Sequence, residues 1–281
     1  MTITDFLYKQ QSWLLEQNYL EAWGKFVEAN RQEMFLRIPG NLPGAVPIEN
    51  EPDEDDANMG VCDGVATINI KGPMLQNPSP ILKILFGLVD INKIESQVKS
   101  LITNNDVQLV FLDMNTPGGS AQGTPEVAQA IRALAKVKPV YTTVKGSCCS
   151  GGYWLASQTD GIFLTPSSKC GSIGVISSFV DSSNAYKAAG LKQEVFTSGQ
   201  YKGMGQPGTS LTDSQRILWQ EQVDEIFGEF KNAVLDRGRK IPDSAMQGQT
   251  FSAKKGQENN LCFMVDDMDA TVQSIIRRTV K

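Results

Sequence analysis

The chain alternates between short apolar runs and longer segments whose apolar residues have helical spacing. Apolar runs at 64–70, 109–112 and 140–144 are typical of buried strands. The segments 90–103 and 125–136 have the three- and four-residue spacing of amphipathic helices. Because strands separated by helices of this length need right-handed crossovers, the pattern predicts an α/β fold with a largely parallel sheet.

The pattern continues beyond residue 160 with shorter elements. We expect strands at 162–164, 173–177 and 194–197, and helices at 182–189 and 210–238. The last helix opens with capping residues and has a continuous apolar face. That face indicates either core packing or an interface between subunits.

The N-terminal part of the chain has a different character. Residues 5–37 have the mixed spacing of one or two amphipathic helices, and 39–56 combine four prolines with an acidic run, which is typical of a solvated linker. We therefore expect a helical extension with an acidic linker over 1–60 and one main domain over 61–281. Charges and glutamines near the start do not fit a signal peptide, and the sequence has no run of about 18 apolar residues. These features predict a cytoplasmic protein without a transmembrane anchor.

Composition removes several mechanisms. The 281 residues include no histidine, which excludes a Ser-His-Asp triad, a Cys-His pair and histidine-bound zinc. The net charge of −5 and a pI of about 5.0 make nucleic acid an improbable partner. The five cysteines are odd in number and lack C-x-x-C spacing, so we expect free, mostly buried thiols in a reducing compartment.

Three glycine-rich segments follow predicted strands, where open α/β sheets gather their functional groups. They lie at 115–120, 146–153 and 170–175. Taken alone, each such segment is more often a structural turn or a helix cap than a functional site. In the second segment, however, Ser150 stands directly before an apolar helix, where free backbone N–H groups favour developing negative charge. Gly151 and the pair Gly118-Gly119 are the candidate N–H donors to an oxyanion.

A serine hydroxyl is a poor nucleophile until a base removes its proton. Without histidine, that base must be a desolvated lysine or a carboxylate. Lys202 fits best, because no other charge occurs in 197–205. Lys145 ends a strand and Lys169 lies in a polar turn, so solvation is the simpler interpretation of both.

These segments resemble the SppA family of signal peptide peptidase-like serine peptidases, including its bacteriophage branch of head-maturation proteases. The resemblance runs from about Gly64 to about Val265. Its motifs are Leu112-Asp-Met-Asn-Thr-Pro-Gly-Gly119, Ser150-Gly-Gly-Tyr153, Gly171-Ser-Ile-Gly-Val175 and Ser198-Gly-Gln-Tyr-Lys202. Their order and spacing together are far more specific than any motif alone.

The resemblance implies a Ser/Lys dyad, with Ser150 as nucleophile and Lys202 as general base. It also implies that Ser172 orients the lysine amine and that the N–H groups of Gly119 and Gly151 form the oxyanion hole, with Gly118 supporting the loop. The implied fold is a ClpP/crotonase-type superhelix of ββα units, assembled as a homo-oligomeric ring and using no cofactor or metal.

The expected function is cleavage of protein or peptide substrates through an acyl-enzyme. The missing membrane anchor favours the phage-like branch, with capsid or scaffold proteins as partners in the host cytoplasm or nascent capsid. A free cytoplasmic peptidase is equally compatible. Two other classes stay open: a crotonase-like acyl-thioester enzyme, for which Glu126 or Asp160 would be the base, and an inactive capsid-assembly component.

Overall fold

The computed structural model describes residues 13–15 and 58–280. Its strands are β1 (Trp13–Leu15), β2 (Met59–Cys62), β3 (Val65–Lys71), β4 (Met74–Leu75), β5 (Val89–Asp90), β6 (Leu109–Thr116), β7 (Gly118–Ser120), β8 (Val140–Cys149), β9 (Gly161–Leu164), β10 (Lys169–Gly171), β11 (Thr250–Ser252) and β12 (Phe263–Met264). Its helices are α1 (Pro80–Phe86), α2 (Ile91–Thr103), α3 (Thr124–Leu134), α4 (Gly151–Ser157), α5 (Ser183–Ala188), α6 (Asp213–Leu235), α7 (Ala253–Glu258) and α8 (Met268–Thr279), with a 3₁₀ turn at Asp243–Ala245.

The main sheet is built around β8. One edge of β8 pairs in parallel with β6, which pairs in parallel with β3. The other edge pairs in parallel first with β9, over 141–144, and then with β10, over 147–149. Antiparallel strands close the two ends, β2 beside β3 and β11 beside β10, and β12 extends β9. The strand β8 therefore carries its C-terminal end into the middle of the sheet.

Burial explains why these segments form parallel strands. Six of the eight residues of β6 are buried, as expected of a strand covered on both faces. Helix α2 buries Ile91, Ile94, Val98 and Leu101, whose spacing places them on one face of the helix. Each such side chain contributes about 1.5–3 kcal/mol by leaving water. Asp90 begins this helix by accepting the N–H of Asn92 at 3.2 Å.

A second, smaller sheet has the order β1-β7-β4-β5. Strand β7 is parallel to β4 and antiparallel to β1. Twice along the chain, a strand of the main sheet is followed by a strand of the small sheet and later by a covering helix: β3, β4 and α2, with α1 and β5 in between, then β6, β7 and α3. This repeated ββα arrangement confirms the predicted α/β fold class.

The long helix α6 confirms the element predicted at 210–238. Thr212 caps it with Gln215 in a capping box, in which each side chain bonds the other residue's backbone N–H. Its C-terminal half docks on the core, where Phe230 stacks on Trp154 with ring centroids 4.7 Å apart and planes 5° apart. Its N-terminal half leaves part of the apolar face exposed: Ile217 is 60% exposed, whereas Leu218, Trp219 and Val223 are half-buried.

Two predicted strands do not form. The chain leaves the sheet after β10, because Gly171 and Ser172 both have positive φ, and 173–177 is irregular apart from an isolated bridge at Ile176. The segment 194–197 is also irregular and is exposed throughout. Within 13–15 and 58–280, neither segment forms a strand, and a short apolar pattern does not by itself specify one.

The predicted N-terminal helices and linker lie outside the described residues, apart from Trp13–Leu15, which are extended instead of helical. The division at residue 60 stays a prediction. Across 13–15 and 58–280, no helix combines the length and apolarity that spanning a bilayer requires.

Candidate active site

Ser150 occupies a strained corner between β8 and α4. Its φ of 52° and ψ of −123° are sparsely populated for a residue with a side chain, and such a conformation costs about 1–3 kcal/mol. The residue is 1% exposed, and within the described part of the chain its hydroxyl has no hydrogen-bond partner. Buried hydroxyls nearly always have a hydrogen-bond partner, so burying this one without a partner costs free energy.

Gly152, two residues after Ser150, allows α4 to pack against the end of β6. A Cβ at Gly152 would lie 2.4 Å from the Cγ2 of Thr116, closer than real Cβ atoms approach. The register shifts between Met114 and Thr116, and the side-chain oxygen of Asn115 accepts the N–H of Ser147 at 3.0 Å across that irregularity. Bulges of this kind are frequent beside active sites, where they redirect a side chain.

Ser172 lies beside Ser150 at the end of the neighbouring strand. Cys149 of β8 pairs with Gly171 of β10, so the two serines follow a matched pair. The N–H of Ser150 donates to the carbonyl of Gly171 at 2.8 Å, and that of Ser172 donates to Gln249 at 2.6 Å. Ser172 also has a φ of 52°. In the described part of the chain, all other non-glycine residues with positive φ are Asp or Asn, which tolerate it better.

Gly118 and Gly119 are the first two of the three residues of β7, and α4 packs on this strand. The Thr116 hydroxyl accepts the N–H of Gly118 at 3.1 Å and fixes the start of this strand. A Cβ at Gly119 would lie 1.9 Å from the carbonyl oxygen of Met74, so only glycine fits between β4 and the site. Gly151, the first residue of α4, has an N–H without an intrahelical acceptor. These N–H groups stay the candidate oxyanion donors.

Replacing Gly119 by alanine should destabilise the protein by at least about 3 kcal/mol, the upper end of overpacking costs, because the clash is with backbone that cannot rotate away. Denaturant unfolding measures the loss. The matched control is Gly228→Ala in the middle of α6, where a Cβ meets nothing within 4 Å and the gain in helix propensity should add about 0.5–1 kcal/mol. Equal stability of the two variants would contradict the packing argument.

The structure does not bring Lys202 to Ser150 within one chain. Lys202 is exposed in a turn, where its N–H donates to Gly199 at 3.3 Å. It belongs to a segment, 176–212, that has no buried residue and that we call the exposed arm. Ser150, Ser172 and Gly151 therefore meet within one chain, while the predicted base lies on the exposed arm.

The other candidate bases are exposed or engaged in other contacts. Lys145 is exposed and pairs with Asp269 at 3.0 Å, as its predicted solvation requires, and Lys169 is half-buried in β10. Asp160 accepts the N–H of Val140 at 2.9 Å and binds Arg237 at 2.6 Å. Glu126 is exposed in the first turn of α3. Asp160 thus has a structural role, fastening the start of β8 to the residues that follow α6.

A cavity of about 290 Å³ opens beside Ser172. Its walls come from the loop after β10, the middle of α6 and the turn before β11, and they include Val175, Asp224, Phe227 and Gly248. The loop after β10 was identified from sequence, but the contribution of α6 was not. Nothing in the sequence indicated Gln249 as the acceptor for Ser172 either, because that contact joins segments 77 residues apart.

The cysteines confirm the expectation of free, mostly buried thiols. None of the five, all within the described residues, forms a disulfide: Cys62 is exposed, and Cys148, Cys149, Cys170 and Cys262 are buried. Burial raises the pKa of the Cys148 thiol well above its usual range, so this residue two positions before Ser150 is not a competing nucleophile. Cys148 and Cys149 act as small core residues under the site.

The sequence is similar to a known peptidase family and to individual proteins of bacteria and phages. The sequence profile of peptidase family S49 matches residues 132–278, just over half of the chain, a range that contains Ser150, Ser172 and Lys202. A protein of Enterococcus faecium described as a signal peptide peptidase SppA is 28% identical over 64% of this chain and 54% of its own length. The capsid assembly protease C of Escherichia phage lambda is 28% identical over 62% of this chain and 39% of its own. The chain thus spans about half or less of these relatives.

Solved structures also align with the chain. A crystal structure of an enoyl-CoA hydratase from Shewanella pealeana is 15% identical, covers 78% of this chain and 72% of its own, and has a TM-score of 0.48. At these values the alignment says nothing about activity.

Proposed function

Since the chain belongs to peptidase family S49, we propose that it is a serine endopeptidase that cleaves protein segments through an acyl-enzyme on Ser150. The observation that carries this proposal is the state of the Ser150 hydroxyl: buried, unpartnered, and held by strained backbone at the start of a helix. A structural serine would lower its energy by bonding. A nucleophile must keep its lone pairs available for the substrate carbonyl.

In the proposed reaction, Ser150 Oγ attacks the scissile carbonyl carbon while the neutral amine of Lys202 accepts the hydroxyl proton. The tetrahedral oxyanion is held by the N–H groups of Gly119 and Gly151. The lysine returns the proton to the departing amine, which leaves as the C–N bond breaks. Water then attacks the acyl carbon while the lysine takes its proton, the ester C–O bond to Ser150 breaks, and the lysine returns the proton to Ser150 Oγ as the carboxylic acid product leaves. Ser172 orients the lysine amine throughout.

The position of Lys202 favours a site completed by another copy of the chain. A lysine in water is protonated near neutral pH, and burial is what lowers a lysine pKa into the range of a base. The exposed arm presents the apolar side chains of Val180 and Phe196 at 80% and 92% exposure, and Ile217 of α6 is 60% exposed. We propose that a homo-oligomer covers this surface and delivers Lys202 of one copy to the cavity beside Ser172 of the next.

The substrates and partners of the peptidase form a further part of the proposal. One relative is named as a capsid assembly protease, and we propose capsid or scaffold proteins of a phage as substrates, encountered in the host cytoplasm or the nascent capsid. A site that binds extended chain would suit the unstructured segments of such proteins.

A fluorophosphonate probe tests the nucleophile directly. We expect one covalent adduct, located on Ser150 by peptide mass spectrometry, and none on the Ser150→Ala protein. Ser147→Ala is the matched control, since this serine lies three residues earlier and should leave labelling unchanged. An unlabelled protein that binds coenzyme A saturably would instead support the acyl-thioester alternative, for which the Arg237-bound Asp160 is poorly placed.

A further inference from the structure

Strand β7 has two partners of different origin. On one side it pairs with β4, which precedes it in the same ββα arrangement. On the other side it pairs with β1, so that Trp13 lies opposite Ser120, Leu14 opposite Gly119 and Leu15 opposite Gly118. Without β1, this side of β7 would be an open sheet edge.

That edge belongs to the proposed active site. Gly119 supplies one of the proposed oxyanion donors, and α4, which follows Ser150 directly, packs on β7. An open strand edge binds extended polypeptide by adding it as a further strand, with backbone hydrogen bonds that do not depend on sequence. The chain laid along β7 would therefore be the chain presented to Ser150.

We propose that the segment Trp13–Leu15 is an internal competitor, occupying the β7 edge on which a polypeptide substrate is laid. This inference rests on the proposed peptidase function. The segment is an apolar triplet between polar residues, 10–12 before it and 16–18 after it. It thus has the chemistry of a short apolar recognition element flanked by polar residues.

Two further features agree with a segment that must leave the β7 edge before a substrate binds. Ser150 is 1% exposed, so no protein substrate reaches its hydroxyl until the surroundings rearrange. Among the residues that the structure describes, three pairs join β1 to β7. A tethered segment acts at an effective concentration in the millimolar range, so weak pairing is enough to compete with a free substrate. Such competition raises the apparent KM and leaves kcat unchanged.

Kinetics of the full-length chain test the proposal. In the variant Leu14→Pro/Leu15→Pro, adjacent prolines remove donors from both alternating sides of the strand. We expect the apparent KM for fluorescently labelled casein to fall about tenfold or more, as release of a tethered competitor predicts, with kcat unchanged. The control Leu14→Val/Leu15→Val keeps both donors and should behave as the wild type. An unchanged KM in the diproline variant would overturn the proposal.

A binding measurement separates this inference from the peptidase mechanism. In a Ser150→Ala background, a fluorescein-labelled peptide of residues 9–20 should bind the diproline chain at least about tenfold more tightly than the chain with its own segment intact. Equal affinity, or no binding to either, would refute the inference even if the wild type cleaves casein. Tighter binding, together with a wild type that neither cleaves casein nor forms the fluorophosphonate adduct on Ser150, would uphold the competitor and count against the peptidase function.

Should the diproline chain fail to fold, the wild type supplies the test. The same peptide should inhibit casein cleavage competitively, whereas a peptide with proline at positions 14 and 15 should not. Inhibition by both peptides, or by neither, would refute the inference.

Discussion

Replacing Ser150 by alanine should lower kcat for protein cleavage by about 10⁴-fold or more, because the nucleophile is lost and only the oxyanion donors and substrate binding remain. The same change should not weaken the fold. The Ser150 hydroxyl is buried without a partner, and removing such a group relieves a desolvation penalty of about 1–3 kcal/mol. Activity assays and denaturant unfolding of the same preparations measure the two effects.

Ser157 provides a matched control on the same helix. Its hydroxyl is also buried, but it donates to the carbonyl of Trp154 at 2.6 Å and accepts from Gln158 at 2.8 Å. Ser157→Ala should therefore keep activity and lose about 1–2 kcal/mol of stability, the reverse of Ser150→Ala. A Ser150→Ala protein that cleaves at the wild-type rate would exclude the proposed mechanism.

Replacing Lys202 by alanine should also remove cleavage, by about 10³-fold or more, since an unassisted serine hydroxyl is a poor nucleophile. Stability of the isolated chain should stay within about 0.5 kcal/mol, because Lys202 is exposed. Lys192→Ala is the control. This lysine lies on the same exposed arm and pairs with the exposed Glu194 at 2.5 Å, so its loss should leave the rate unchanged.

Mixing the two inactive proteins shows where the base comes from. If Lys202 acts on the neighbouring copy, a mixed interface has a complete site. The Lys202→Ala chain supplies Ser150, and the Ser150→Ala chain next to it supplies Lys202. Random equal mixing should then restore roughly a quarter of wild-type activity, as expected for a head-to-tail assembly. No recovery would place the base within the chain, and full activity of Lys202→Ala alone would exclude the dyad.

Much of the fold was predictable because its signals are local. The parallel strands β3, β6 and β8 contain short apolar runs that are visible in the sequence of each segment alone. The helices α2 and α3 show their apolar periodicity within a few turns. Prediction failed at 173–177 and 194–197, where two or three alternating residues resembled a strand. A strand needs an adjacent edge to pair with, and no local pattern states whether one is present.

The short strands of the small sheet were missed for the same reason. β4, β5 and β7 have two or three residues each, too few for a period to be recognised. The extended conformation of Trp13–Leu15 is a sharper case, since the surrounding spacing indicated a helix and pairing with β7 decided otherwise. Tertiary pairing outweighs a weak local preference when it satisfies backbone groups that would stay unpaired.

The sequence by itself determined which chemistry was available: without histidine, a serine nucleophile needs a lysine or carboxylate base. The glycine-rich segments pointed to Ser150 with Gly119 and Gly151 as candidate N–H donors, and the family resemblance added Ser172. Only the tertiary structure decided which of these groups meet. The paired ends of β8 and β10 set the two serines side by side, whereas Lys202 lies on the exposed arm. The physical reason is that side-chain chemistry is a property of each residue, while distance between segments is fixed by strand pairing and by assembly between copies.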